Sequence, residues 1–179
     1  MPRAAPLSLL CLSGIAWRAR LFHARLSKSQ RTLRSWFILT AYLPRSDESL
    51  ASLARRDTEA LNHSERIIVD ETDCLSIPPG VARRAFYQDE DDDTFTYALE
   101  RIGPAPVRIF RDKATFTPTR FGTVPRTYIH CMTDMAIGYR LQEEMVARHR
   151  KILWSPYQSH SPFLMMPEAL AAELSALAE

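Results

Sequence analysis

Two side chains toward the C-terminus could share one piece of chemistry. Asp134 ends Tyr128-Ile129-His130-Cys131-Met132-Thr133-Asp134, and His160 stands in Ser159-His160-Ser161-Pro162-Phe163-Leu164. A carboxylate that fixes the tautomer of an imidazole makes it a general base. Such a base takes the proton of a serine as it attacks an ester carbonyl and returns it to the leaving alcohol. The acid follows a short apolar stretch, and the histidine lies in a loop beyond a helical stretch and a second apolar run. Acid then histidine is the order of the last two members of a hydrolytic triad whose serine sits earlier, on a Gly-x-Ser-x-Gly elbow. No Gly-x-Ser-x-Gly occurs in the 179 residues. Taken singly, Asp134 reads as a turn or capping residue before Ala136, and His160 as a loop histidine held by local hydrogen bonds. Their order and loop placement favour reading them as a pair. His23, His63, His130 and His149 lack that context and read as strand, surface or loop histidines.

The elements that would position the pair are those of a mixed α and β chain. Ser35 to Tyr42 is apolar, β-branched and aromatic throughout, as a strand covered on both faces requires. Pro44 stops it, and a helix is expected from Asp47-Glu48-Ser49-Leu50 to about Leu61, with acidic residues at the positive end of its dipole. Arg66 to Asp70 and Cys74 to Ile77 form a hairpin pattern ended by Pro78-Pro79. Short helices are expected over Pro79 to Tyr87 and Asp93 to Ile102, separated by the acidic run Asp89 to Asp93, itself a solvated face or helix start. Gly103-Pro104-Ala105-Pro106 breaks the chain. Pro125 to Met132 reads as a strand, Leu141 to His149 as a helix and Lys151 to Trp154 as a short strand. Pro167 to Ala178 closes the chain as a helix with Leu170, Leu174 and Leu177 on one stripe. The three strands are expected to pair in parallel, because helical crossovers connect the last of them.

Composition and charge bound the remaining possibilities. A chain of 179 residues, 46% hydrophobic and 25% charged, predicts one domain with a real core. Leu7 to Leu12 and Trp36 to Leu43 are too short to cross a bilayer, so no membrane partner is expected. Cys11, Cys74 and Cys131 are spaced as neither a disulfide framework nor a zinc site, which points to a reducing, cytoplasmic setting. Residues 1–46 hold eight basic side chains and no acidic one, leaving 15 of the 23 basic residues against all 21 acidic ones, a net of −6, in the rest. A basic, acid-free start is compatible with a targeting peptide, but its apolar run is short and broken by Ser8. No aromatic platform or groove-reading motif accompanies it, so no nucleic-acid partner is expected.

Several separated blocks carry a resemblance to a known family. They are Tyr42-Leu43-Pro44-Arg45-Ser46-Asp47-Glu48-Ser49-Leu50, Phe86-Tyr87-Gln88-Asp89, Arg120-Phe121-Gly122-x-Val124-Pro125-Arg126-x-Tyr128-Ile129, and His160-Ser161-Pro162-Phe163. In this order they resemble the small bacterial and plant α/β-hydrolase-fold esterases, a group that includes plant methyl salicylate esterases and hydroxynitrile lyases. The resemblance runs from about Leu33 to the C-terminus. It implies an α/β fold, a partial α/β-hydrolase: the C-terminal half of a mostly parallel sheet over residues 31–179, with a lid inserted at 44–110. It also implies His160 as general base and acid, Asp134 as its orienting carboxylate, and a small-molecule ester as substrate. Phe86, Tyr87, Phe95 and Tyr97 would shape the substrate site. No cofactor or metal motif is present, and the oligomeric state is left open.

The chain departs from the family at its start. Such enzymes carry early β/α units and then Gly-His-Ser-Met-[Ala/Gly]-Gly before the strand matching Ser35 to Tyr42. Counting back puts the nucleophile near Ala16, in Ser13-Gly14-Ile15-Ala16-Trp17-Arg18. Alanine cannot attack a carbonyl, and Ser13 lacks the paired glycines of a strained elbow. Synonymous codons permit another reading. Regrouped from the third base of the Ser13 codon, they can spell Gly-His-Ser-Met-Ala. The expectation is therefore that residues 1 to about 30 are translated out of frame, that the true frame resumes near Arg31, and that the chain is inactive as it stands. The alternatives are a non-catalytic remnant or binding protein of the same fold, and a hydroxynitrile lyase.

Overall fold

Alternation along one short strand organises the core. The structure, a computed structural model of the chain, describes residues 36–61, 68–117, 119, 126–147 and 159–178. β1 (Trp36–Leu39) pairs in parallel with β5 (Arg126–Ile129), with Ile38 opposite Tyr128 and Leu39 opposite Ile129. Successive side chains of a strand point to opposite faces. Ile38 and Tyr128 accordingly pack with Leu141, Met145 and Val146 of α5 (Tyr139–Ala147), joined by Leu53 and Ile137. Phe37, Leu39 and Ile129 pack with Leu170 and Leu174 of α7 (Pro167–Ala178) on the other face. Covering both faces explains the unbroken apolar run of β1, and each fully buried Leu or Ile contributes about 1.5–3 kcal/mol. The Tyr128 hydroxyl donates to the Ala41 carbonyl at 2.9 Å, tying β5 to the chain leaving β1. The parallel pairing is as expected; the strand expected at Lys151 to Trp154 lies outside the described residues.

β1 is shorter than the apolar run that suggested it. Thr40 has φ 47°, in the left-handed region that a β-branched side chain rarely adopts, and there the strand ends. Its hydroxyl is fully buried without a hydrogen-bond partner.

The segment between β1 and β5 forms a second unit of local structure. α1 (Leu50–Ala54) is started by a capping box between Ser49 and Ser52. It stops well short of Leu61, because the Asp57 carboxylate accepts from the amides of Glu59 and Ala60 and holds them in a turn. β2 (Ile68–Val69) and β3 (Cys74–Ser76) make the expected hairpin. Asp70 shapes its turn by accepting from the Thr72 and Cys74 amides. α2 (Pro79–Phe86) and α3 (Asp92–Leu99) follow, the latter capped by Asp91, so the acidic run is a helix start. Gly103-Pro104-Ala105-Pro106 is not merely a break. Ala105–Pro106 is β4, paired antiparallel with β3, and α4 (Arg108–Arg111) follows it. A proline is tolerated there because β4 is an edge strand. No helix of the described residues is long and apolar enough to cross a membrane.

The inserted segment is anchored on the start of α5. Asp57 Oδ2 accepts from the Gly138 amide at 2.8 Å, and Glu59 Oε2 accepts from the Arg140 amide at 2.9 Å. Two carboxylates thus sit at the positive end of the α5 dipole. A Cβ on Gly138 would fall 2.5 Å from Asp57 Oδ1 and 2.6 Å from Glu59 Cβ. Gly138→Ala should therefore cost about 1–3 kcal/mol, the usual price of overpacking. Urea denaturation would measure it, and an unchanged midpoint would show that this anchor yields without cost.

Candidate active site

Asp134 lies in the loop that leaves the carboxyl end of β5, where parallel sheets place functional residues. Its Oδ1 accepts from the amides of Ala136 at 2.7 Å and Ile137 at 3.0 Å, so the side chain organises its own loop. The turn-residue reading of Asp134 is thus part of its role, yet the carboxylate also does more. His160 Nδ1 stands 3.0 Å from Oδ1 and 2.9 Å from Oδ2. Donation from Nδ1–H to a carboxylate puts the imidazole lone pair on Nε2. Both side chains are buried, at 2% exposure for His160 and 0% for Asp134.

His160 is held from two sides. Ser161 leads into α6 (Pro162–Met165), and α7 follows directly with its leucines on the sheet, which fixes where the histidine loop returns. From the inserted segment, Phe86 at the end of α2 meets the imidazole edge to face, with ring centroids 4.9 Å apart. A pocket of about 430 Å³ is lined by Tyr87, Tyr97, Ala98, Arg101, Phe163 and Leu164, among others; neither Phe86 nor His160 is part of its lining. Of the four aromatic residues expected at a substrate site, Tyr87 and Tyr97 line this cavity, Phe86 covers His160, and Phe95 packs on the Tyr87 ring.

The chain matches solved structures over most of its length. No family model matches it, and neither does any curated protein sequence. Polyneuridine aldehyde esterase superimposes with a TM-score of 0.71 at 15% identity, over 88% of this chain and 67% of that one. An extracellular α/β-hydrolase from a Paenibacillus species superimposes with a TM-score of 0.65 at 13% identity, over 86% of this chain and 65% of that one. This is a partial α/β-hydrolase fold. A methylesterase from Arabidopsis agrees, with a TM-score of 0.62 at 21% identity, over 87% of this chain and 64% of that one. The chain thus spans about two thirds of the length of these α/β-hydrolase-fold neighbours.

Two further ionisable groups, His130 and Glu90, are buried. His130, between the rings of Tyr128 and Tyr139, has its pKa lowered by burial, against smaller opposing effects of Glu143 and Gln142. Glu90, at 6% exposure, has an Oε1 without a hydrogen-bond partner. Burial raises its pKa, helped by Asp91 and Asp89 and opposed by Arg83. A carboxyl whose folded pKa lies above its unfolded value stabilises the fold below the unfolded value, and that contribution is lost as pH rises through the folded pKa. Glu90→Gln should then raise Tm at neutral pH and have little effect at about pH 3, below the unfolded pKa, where both states are protonated. Equal shifts at both pH values would rule out this explanation.

One participant was not singled out in the sequence. Gln142 bonds both ends of the Asp134 loop. The only signal was a glutamine beside Leu141, on the stripe that continues at Met145 and Val146.

Proposed function

We propose that the chain carries the acid–base part of a carboxylic-ester hydrolase site of the Ser-His-Asp type, acting on small esters. The carrying observation is the buried Asp134–His160 contact at the carboxyl end of a parallel strand pair. In this reading His160 Nε2 takes the proton of a serine hydroxyl as its oxygen bonds to the ester carbonyl carbon. Asp134 stabilises the imidazolium that results. The proton then passes to the alcohol oxygen as the ester C–O bond breaks, leaving an acyl-serine. Water repeats the cycle and releases the acid. Residues 44–110 act as the lid, through Phe86 over the imidazole and the pocket that Tyr87 and Tyr97 line with Phe163 and Leu164.

The serine of this scheme has no elbow in the 179 residues. That observation favours a second reading, a non-catalytic remnant or binding protein that retains the cavity. The out-of-frame origin of residues 1 to about 30 belongs to the first reading, and those residues lie outside the described ones. An ester-hydrolysis assay on the chain with and without a restored elbow separates the two, and a cyanohydrin substrate tests for lyase activity.

A further inference from the structure

We infer that Gln142 positions Asp134 for its contact with His160, by stapling together the two ends of the loop that carries the carboxylate. The inference rests on the acid–base reading above.

Gln142 is 0% exposed and belongs to α5, whose neighbouring buried positions are Leu141, Met145 and Val146. An amide in such surroundings is costly unless its bonds are made. Here Oε1 accepts from the Cys131 amide at 3.0 Å, while Nε2 donates to the carbonyls of Cys131 at 2.9 Å and Ile137 at 2.7 Å. Cys131 opens the Asp134 loop as the chain leaves β5, and Ile137 closes it before α5. One side chain therefore spans the neck of the loop. Inside it the bonding continues, from the Asp134 amide to the Cys131 carbonyl and from the Ala136 and Ile137 amides to Asp134 Oδ1. The carboxylate is held in a closed ring of hydrogen bonds whose outer link is Gln142.

The residue type suits the task. A carboxamide supplies an acceptor and two donors in one plane, without charge. Glutamate would turn a second acceptor toward two carbonyls, and methionine would fill the space with no bonds. Gln142 acts through Asp134, so it is a positioning residue. A displacement of the carboxylate by about an ångström is enough to degrade proton transfer on His160.

The test uses the 179-residue chain, compared with Gln142→Met, by NMR. Two readouts are followed: the low-field Nδ1–H resonance of His160, and hydrogen exchange at the Cys131, Ala136 and Ile137 amides. In Gln142→Met the Ala136 and Ile137 amides should exchange about tenfold faster or more, the His160 resonance should weaken, and the Phe37 and Ile129 amides should be unchanged. An unchanged resonance with unchanged exchange overturns the positioning role and leaves the acid–base reading standing. Absence of the resonance from the unaltered chain overturns that reading and the inference with it. Should Gln142→Met fail to fold, the unaltered chain decides. A common opening rate for Cys131, Ala136 and Ile137 supports the staple. Free exchange of Ala136 and Ile137 beside a protected Cys131 overturns it.

Discussion

Small aryl and methyl esters should survive the 179-residue chain at the uncatalysed rate, and should be hydrolysed once the elbow is restored. The restored form carries Gly-His-Ser-Met-Ala in place of Gly14 to Arg18, with the early strands of the fold supplied ahead of it. The reason is chemical. Asp134 and His160 can provide an oriented proton acceptor, but the Gly-x-Ser-x-Gly elbow that would supply the nucleophile and an oxyanion amide does not occur in the sequence. In the restored form His160→Ala should lower kcat on the order of 10⁶-fold, because base and acid are both lost. Asp134→Asn should lower it less, on the order of 10⁴-fold, since asparagine preserves much of the loop while presenting Nδ1 with the wrong partner. Turnover by the unaltered chain that His160→Ala leaves untouched would defeat both the triad assignment and the out-of-frame explanation.

Loss of the same carboxylate should be felt in stability without any catalysis. Asp134→Ala strips partners from two backbone amides and from the His160 Nδ1–H, all in the interior. The expected cost is about 3–5 kcal/mol, comparable with breaking a buried pair. Asp134→Asn keeps an oxygen for the Ala136 and Ile137 amides and should cost clearly less. Chemical denaturation of both variants makes the comparison. A loss below about 1 kcal/mol for the alanine variant would mean that the loop is held by other bonds than those of Asp134.

Elements whose signal is carried by many residues at once could be read in the sequence. The leucines at 170, 174 and 177 define the buried side of α7, and its bounds are those expected. The continuous apolarity of β1 announced burial on both faces, and the helical crossover announced parallel pairing. Boundaries set by a single side chain were not legible. α1 ends early because of one carboxylate, Asp57, and β1 because of one strained residue, Thr40. β4 was hidden by its proline, which local preference reads as a break and an edge position accepts. At the site, proximity of Asp134 and His160 followed from chain order and loop placement, and their catalytic roles rest on the proposal. Gln142 escaped notice because a polar residue on an amphipathic helix reads as solvent-facing, and only the tertiary fold reveals carbonyls waiting inside.

The contact of Asp57 and Glu59 with Gly138 and Arg140 bears on modularity. A segment inserted between two strands invites exchange as a cassette, with one relative's insertion grafted into another to alter substrate preference. In this chain the graft junction cannot be drawn at the ends of β1 and β5. The stretch 57–61 belongs mechanically to the scaffold, since Leu61 also donates its amide to the Met135 carbonyl, beside Asp134 itself. A transplant that replaces it removes part of the footing of the acid loop. One that begins after Leu61 keeps these bonds but still exchanges Gln88, which donates to the Thr133 carbonyl, and the residues of α2 packed on Ala136, so it reaches the acid loop as well as what covers His160.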